Sequence, residues 1–422
     1  VKLDHKTWAI IIFLMGIVVA VSYTVGRKQA TVTAPAPGAG VLSPGTKLPS
    51  NHPPLSSSPV PSGQAMDAAT AVAPGIANKA SRFTHFRVGN RNVKGLLIDG
   101  DYVWIGTSGG VIRYDIKTDS HKVFDNKIDG LISNGIFHIS KIDGKLYVGT
   151  YGGGLSVYDM DADSWKNYNI PDGLADQFVY DVHKTANGDL WIATWSGTNR
   201  VKGGRLDDPE SWTTFDVDNT AGGLPNRWVY ALEEGRNGSL WFATEEGLAH
   251  YDHGQWQNWK HSDGLGAPYD LVKDAIKTTN DPAAASKHHA QNKQDQGLQD
   301  VNVAYNPNYI ISLKVDAKGV VWAGTWGAGL ARFDGHTWKN YTTADGLPAN
   351  HIFMLYLDPS DQLWVGTNHG LARMKADGSG FEVLTAADGL FADNVFSMAH
   401  GQDGSMWVGS FGGVARIAAS GD

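Results

Sequence analysis

The chain has 422 residues, among them 51 Gly, 15 Trp and no Cys. The absence of cysteine excludes disulfides, a thiolate nucleophile and Cys-ligated zinc or iron–sulfur chemistry. A net charge of −8 argues against a nucleic-acid binder, which needs a cationic surface to displace phosphate counterions.

In chain order, the first element is an apolar run. Thr7 to Gly26 carries no charge, and its 20 residues would span about 30 Å as a helix, the thickness of a bilayer core. Trp8 and Tyr23 sit near its ends, where amphipathic rings favour the interface. The expectation is one transmembrane helix over about 7–26 within a segment 1–26. Gly16, Ala20 and Ser22 are the small residues that would let another helix approach. The competing reading is a cleaved signal peptide, with Ala20-Val21-Ser22 as the cleavage site. Residues 27–81 read as a linker rich in Pro, Ala and Ser, holding nine of the 17 prolines and too little apolar surface to offset chain entropy.

Residues 82–422 are repetitive. A core segment recurs seven times, as YVWIGTSGG from Tyr102, LYVGTYGGG from Leu146, LWIATWSG from Leu190, LWFATEEG from Leu240, VWAGTWGAG from Val321, LWVGTNHG from Leu363 and MWVGSFGG from Met406. Its central aromatics are spaced 43, 44, 50, 81, 42 and 43 residues apart, a period that suits four strands per propeller blade. Between cores lies a short aromatic strand with a DGL turn, as in WKNYNIPDGL from Trp165 and WKNYTTADGL from Trp338. The last repeat lacks this strand, and RFTHF, Arg82 to Phe86, is an unpaired copy of it. The expectation is an all-β, seven-bladed β-propeller whose N-terminal strand closes the last blade and removes an exposed sheet edge.

These segments resemble the two-component regulator propeller repeat, and Thr107 to Asp115, Thr325 to Asp334 and Thr367 to Lys375 follow its pattern closely. The resemblance implies a propeller fold. It also suggests a periplasmic sensor, a role family members often play for hybrid histidine kinases, commonly tuned to carbohydrate. Five residues follow Ile417, so the expectation here is a chain without kinase or DNA-binding domain that acts through a separate partner. Lys2 and Lys6 before the apolar run nearly balance Arg27 and Lys28 after it, so charge does not orient the span. The resemblance places the propeller outside the cytoplasm. The expected location is the bacterial inner membrane, single-pass, with the propeller on the periplasmic side.

One face of such a ring carries the DGL turns and the residues that follow each Gly/Ala-Thr/Ser pair. Those residues are Ser108, Tyr151, Trp195, Glu245, Trp326, Asn368 and Phe411. Four are aromatic and could bind sugar or a partner's apolar anchors, or pack against a neighbouring blade. The 81-residue spacing marks an insertion at about 267–307 on the same face. Within it Asp270 to Lys277 reads as a short helix starting at Asp270, with Leu271, Val272 and Ile276 on one side. It and His288-His289 form the candidate docking element, against the alternative of a floppy excursion. Residues 1–81 carry six Lys/Arg and two Asp, which leaves −12 for the propeller and favours a basic partner surface.

Catalytic chemistry is not expected. Asp159, Asp161 and Asp163 open like a calcium loop, but Ser164 and Ile170 stand where an EF-hand needs Gly and Glu. His288 and His289 lack the HExxH context of a zinc site, and no nucleophile elbow occurs. No metal or other cofactor is expected. LWFATE, Leu240 to Glu245, looks similar to the repeat of streptogramin lyases, which implies a metal-assisted lyase as the least favoured reading. The favoured reading is a non-catalytic scaffold subunit of a respiratory, photosynthetic, transport or secretion complex, contacting other membrane subunits and lipid. A small-molecule sensor signalling through a separate partner is the alternative.

Overall fold

The computed structural model describes residues 82–276 and 281–419. Each repeat folds as an antiparallel meander. In the second, Ile136–Ile142, Lys145–Thr150, Leu155–Asp159 and Ser164–Tyr168 pair in chain order. The first strands of successive repeats pack on one another in a closed circuit, so they form the inner wall of a ring. Every residue of the second strand Leu363–Thr367 is buried, because both its faces meet neighbouring sheets. That explains its small fourth residue. A Cβ on Gly366 would lie 2.8 Å from the carbonyl of Val395 in the next repeat. The Trp before it fills the gap between sheets, and Trp104, Trp191 and Trp407 are almost wholly enclosed. Each contributes on the order of 2–3 kcal/mol by leaving water.

The DGL turn has a local explanation. In the repeat ending at Gly346, residues Thr343–Asp345 make one 3₁₀ turn. Asp345 accepts a hydrogen bond from the Thr342 backbone N–H at 2.8 Å, Gly346 has φ 96°, and Leu347 is buried. The glycine also receives the aromatic of the following repeat's last strand. A Cβ at Gly264 would meet Trp338 at 3.3 Å, and one at Gly389 would overlap the ring of Phe83. Asn340 Nδ2 reinforces the same junction by donating to the Gly264 carbonyl at 2.9 Å.

The expected count of seven blades is corrected. The strands form six sheets, five of four strands and one of six. The strand Phe83–Asp99 serves the last repeat and the first. Phe83–Arg87 pairs with Gly413–Ile417, and Val93–Asp99 pairs with Tyr102–Thr107. A register shift between Arg87 and Asn92, with Gly89 at φ 77°, bends the strand between its two partners. Met406–Ile417 likewise continues from Val395–His400 to Phe83–Arg87. The first and last repeats therefore share one sheet, and no seventh sheet stands by itself.

The membrane expectation is corrected too. No helix among the described residues is long and apolar enough to cross a membrane, so the expected single-pass inner-membrane location with a periplasmic propeller finds no spanning element there. The run Thr7 to Gly26, with Gly16, Ala20 and Ser22, and the linker 27–81 lie outside the described residues.

Candidate recognition site

The residues after each Gly/Ala-Thr pair are held by a repeated device. Thr194 Oγ1 donates to the Gly197 carbonyl and Thr244 Oγ1 to that of Gly247, both at 2.8 Å, which fixes the turn between second and third strands. Tyr151 and Trp195 emerge from these turns but turn inward, with 9% and 8% of their surface exposed. Phe178 lies edge-on between them, with ring centroids 4.9 Å from Tyr151 and 4.8 Å from Trp195. Trp195 then meets Trp228 at 4.6 Å. Half-buried Trp326 stacks on Tyr309 at 5.6 Å and approaches Phe353 at 5.9 Å, which stacks on Phe396 at 5.3 Å. A second row on the inner strands runs from Phe137 through Tyr180 and Tyr230 to Tyr309, at 4.8, 5.0 and 5.0 Å. The aromatics thus form a belt around the inner wall rather than an open flat face. Asn368 and Phe411 are half-buried outside this chain of ring contacts, and Phe411 is bridged to Asn92.

Glu245 occupies the same position in its repeat and is fully buried. The insertion supplies its partners. Asp281 caps Pro282–Ala285, Ser286 caps the helix Lys287–Asp295, and this helix presents both histidines to the one carboxylate. His288 Nε2 lies 2.9 Å from Glu245 Oε2, and His289 Nδ1 pairs with Oε1. His288 stacks on Trp228 at 4.1 Å, and His289 on Tyr309 at 5.7 Å. Burial works to raise the Glu245 pKa, but hydrogen bonds from His288 and His289 outweigh it and hold the carboxyl below its usual range. His288 feels the converse. Burial opposes its charge, yet Glu245 raises its pKa above the ordinary imidazole value.

Elsewhere the insertion is stitched to the ring. Lys293 is buried and donates to Asp281 and to the carbonyls of Val301 and Val303. His351 Nε2 contacts the Ala304 carbonyl at 2.7 Å. The expected helix from Asp270 is only one turn, Tyr269–Val272. Val272 and Ile276 are buried beneath it, whereas Leu271 is 70% exposed and Asp270 pairs with Lys273 on the surface.

Sequence reasoning missed Trp228, Phe178 and the inner row. It also missed Lys94, whose Nζ lies 4.3 Å from the Phe137 ring centroid. Among the described residues, no group of three or more His, Cys, Asp or Glu is arranged to hold a metal ion.

Three segments, residues 173–196, 223–246 and 346–369, match the model of the two component regulator propeller family. The chain carries two component regulator propeller repeats. Each matched segment runs from the DGL turn to the residues after the Gly/Ala-Thr pair, and so spans Trp195, Glu245 or Asn368. No curated protein matches the sequence. Among solved structures, the extracellular domain of the hybrid two component system BT3049 from B. thetaiotaomicron is similar over 78% of this chain and 40% of its own, at 16% identity and TM-score 0.58. That of the one component system BT4673 from the same organism is similar over 79% of this chain and 39% of its own, at 20% identity and TM-score 0.55. The chain thus spans about two-fifths of the length of these two. Virginiamycin B lyase from Staphylococcus aureus is similar over 79% of this chain and 98% of its own, at 11% identity and TM-score 0.54. At these identities the likeness is one of fold.

Proposed function

We propose that this propeller is a non-catalytic recognition module that takes a small planar or sugar-like ligand at the aromatic mouth of the ring, and passes the event to a separate partner. The observation that carries this is the belt from Phe137 to Phe396. It concentrates π-faces on the inner wall of one end of the ring, where a ligand can be enclosed. Burial of Tyr151, Trp195 and Glu245 against their own chain speaks against a broad partner-docking face made of those residues. Docking on a protein is the second reading, and one observation favours it. Ile128, Ile170 and Leu271 are aliphatic side chains exposed by 85%, 51% and 70% in the turns and insertion of the same face.

Saturation-transfer NMR with hexoses and small aromatic compounds separates the two. We expect at least one compound to receive saturation from the wild-type ring and to lose it in the Trp326→Ala/Phe353→Ala double variant. Transfer that is absent, or indifferent to the double variant, would remove the ligand reading. Leu271→Asp should leave small-molecule transfer intact while abolishing any protein docking.

A further inference from the structure

The inner strands carry several charged groups, and most are neutralised. His138 lies 3.0 Å from Asp181, His183 lies 3.5 Å from Glu234, and Lys314 pairs with Glu233. Lys94 differs. It stands on the inner part of Phe83–Asp99 and is half-buried, and no carboxylate among the described residues pairs with it. Its ammonium instead lies over the π-face of Phe137. Desolvation inside the ring pulls its ammonium down to about 8. A cation taken from water without a counter-ion is a cost that its contact with Phe137 offsets only in part.

Beside it is a shallow, solvent-open hollow lined by Asn92, Lys94, Ser108, Phe137 and Tyr151. Asn92 is 8% exposed, and its side-chain oxygen is buried without a hydrogen-bond partner. Since amide O and N are interchangeable by a flip of χ2, that position can equally present an N–H donor. The hollow therefore combines an ammonium without a carboxylate partner among the described residues, an unsatisfied amide and a hydroxyl with one aromatic wall, made by Phe137 and Tyr151 with ring centroids 5.3 Å apart. This is the donor set of an anion site next to the surface a planar group needs.

We infer that the hollow beside Lys94 binds the carboxylate of a small planar acid, with Lys94 and Asn92 on the anionic end and Phe137 and Tyr151 against its body. The inference rests on the ligand-binding reading above and deepens it, because it states the charge of the ligand. Ammonium and carboxylate neutralise each other where the Lys94 ammonium is already partly desolvated, so the acid is selected over its neutral isostere.

The test is a pair of probes matched in shape, benzoate and benzamide, titrated by calorimetry into the full chain at pH 6.5. Benzoate is expected to bind at least tenfold more tightly than benzamide. Lys94→Gln should abolish that difference and Lys94→Arg should retain most of it, with circular dichroism confirming both folds. Benzoate affinity should fall as pH rises through about 8, where the ammonium is lost. Equal binding of the two probes, unchanged by Lys94→Gln, would overturn the anionic assignment and leave the ligand reading standing. Binding of neither would overturn this site, and the hexose experiment above would then decide the broader reading by itself.

Discussion

Replacing Glu245 by Ala tests whether the insertion is held to the ring by one buried carboxylate. Glu245 has no exposed surface and His289 only 3%, and His289 Nε2 already lacks a partner. The substitution leaves His288 and His289 facing an empty acceptor site. Removing one member of a buried, hydrogen-bonded ion pair costs about 3–5 kcal/mol. The ring itself need not bear that cost, because the helix Lys287–Asp295 can lift away and expose both imidazoles to water. The loss then appears as local opening, which hydrogen exchange reads directly. With about 1.4 kcal/mol per tenfold, amide protection in Lys287–Asp295 should fall by at least two orders of magnitude. Protection in Leu190–Thr194 and Leu363–Thr367 should stay within a few-fold. Glu245→Gln, which keeps shape and one acceptor, should fall between the two. Protection of the helix within threefold of wild type in Glu245→Ala would refute the reasoning and place the holding energy at Lys293 and the apolar contacts.

The same cluster predicts a pH profile. The folded pKa of Glu245 is depressed, so its contribution is present above the ordinary carboxylate value and is lost as pH falls through the depressed one. His288 is raised, so its contribution is complete below about 6.5 and is lost as pH climbs through its raised value. Helix protection, corrected for intrinsic exchange, should therefore peak between about pH 4.5 and 6.5 and decline on either side, and a flat profile would contradict this. Gly389→Ala should cost about 2–5 kcal/mol in a denaturant titration, because φ is 121° and its Cβ would overlap Phe83. Gly254→Ala, with φ 90° and nothing within 4 Å, should cost only the backbone part, about 1 kcal/mol, and so separates contact from conformation. Asn340→Ala should cost about 1–2 kcal/mol by unmaking its bonds to the Gly264 carbonyl and the Gly266 N–H, and an unchanged midpoint would contradict this.

What the sequence made legible was local. Asp345, Gly346 and Leu347 form a turn through bonds spanning a few residues, so the motif and its effect coincide. The small residue of each second strand announced a close neighbour without saying which. The count of sheets was not legible. Seven cores can be numbered from the chain, but whether Phe83–Asp99 bends into two partners without breaking is settled by the register shift at Arg87 and Asn92. The face residues were legible as positions, not as surfaces. Tyr151 and Trp195 are covered by Phe178 and Trp228, which precede the first strands and carry no marked pattern. Adjacent histidines ordinarily diverge, so the convergence of His288 and His289 needed the two oxygens of Glu245 to be seen. Lys94 sits in an unremarkable strand, and that no carboxylate among the described residues pairs with it is a statement about the whole inner wall.

The shared sheet has a consequence for synthesis. Phe83 pairs with Ile417, and Thr84 with Arg416, so the strand that closes the ring leaves the ribosome long before its partner exists. At about 5–20 residues per second, the wait is on the order of 20–70 s. During that time the intervening repeats can pair within themselves, while the early strand holds an unmatched row of amides and Phe83 has no Gly389 to rest on. A neighbouring chain that has already completed Gly413–Ile417 presents the complementary edge. Crowding on a polysome therefore favours exchange of this one strand between copies, and slower release of the C-terminal repeat lengthens the exposure.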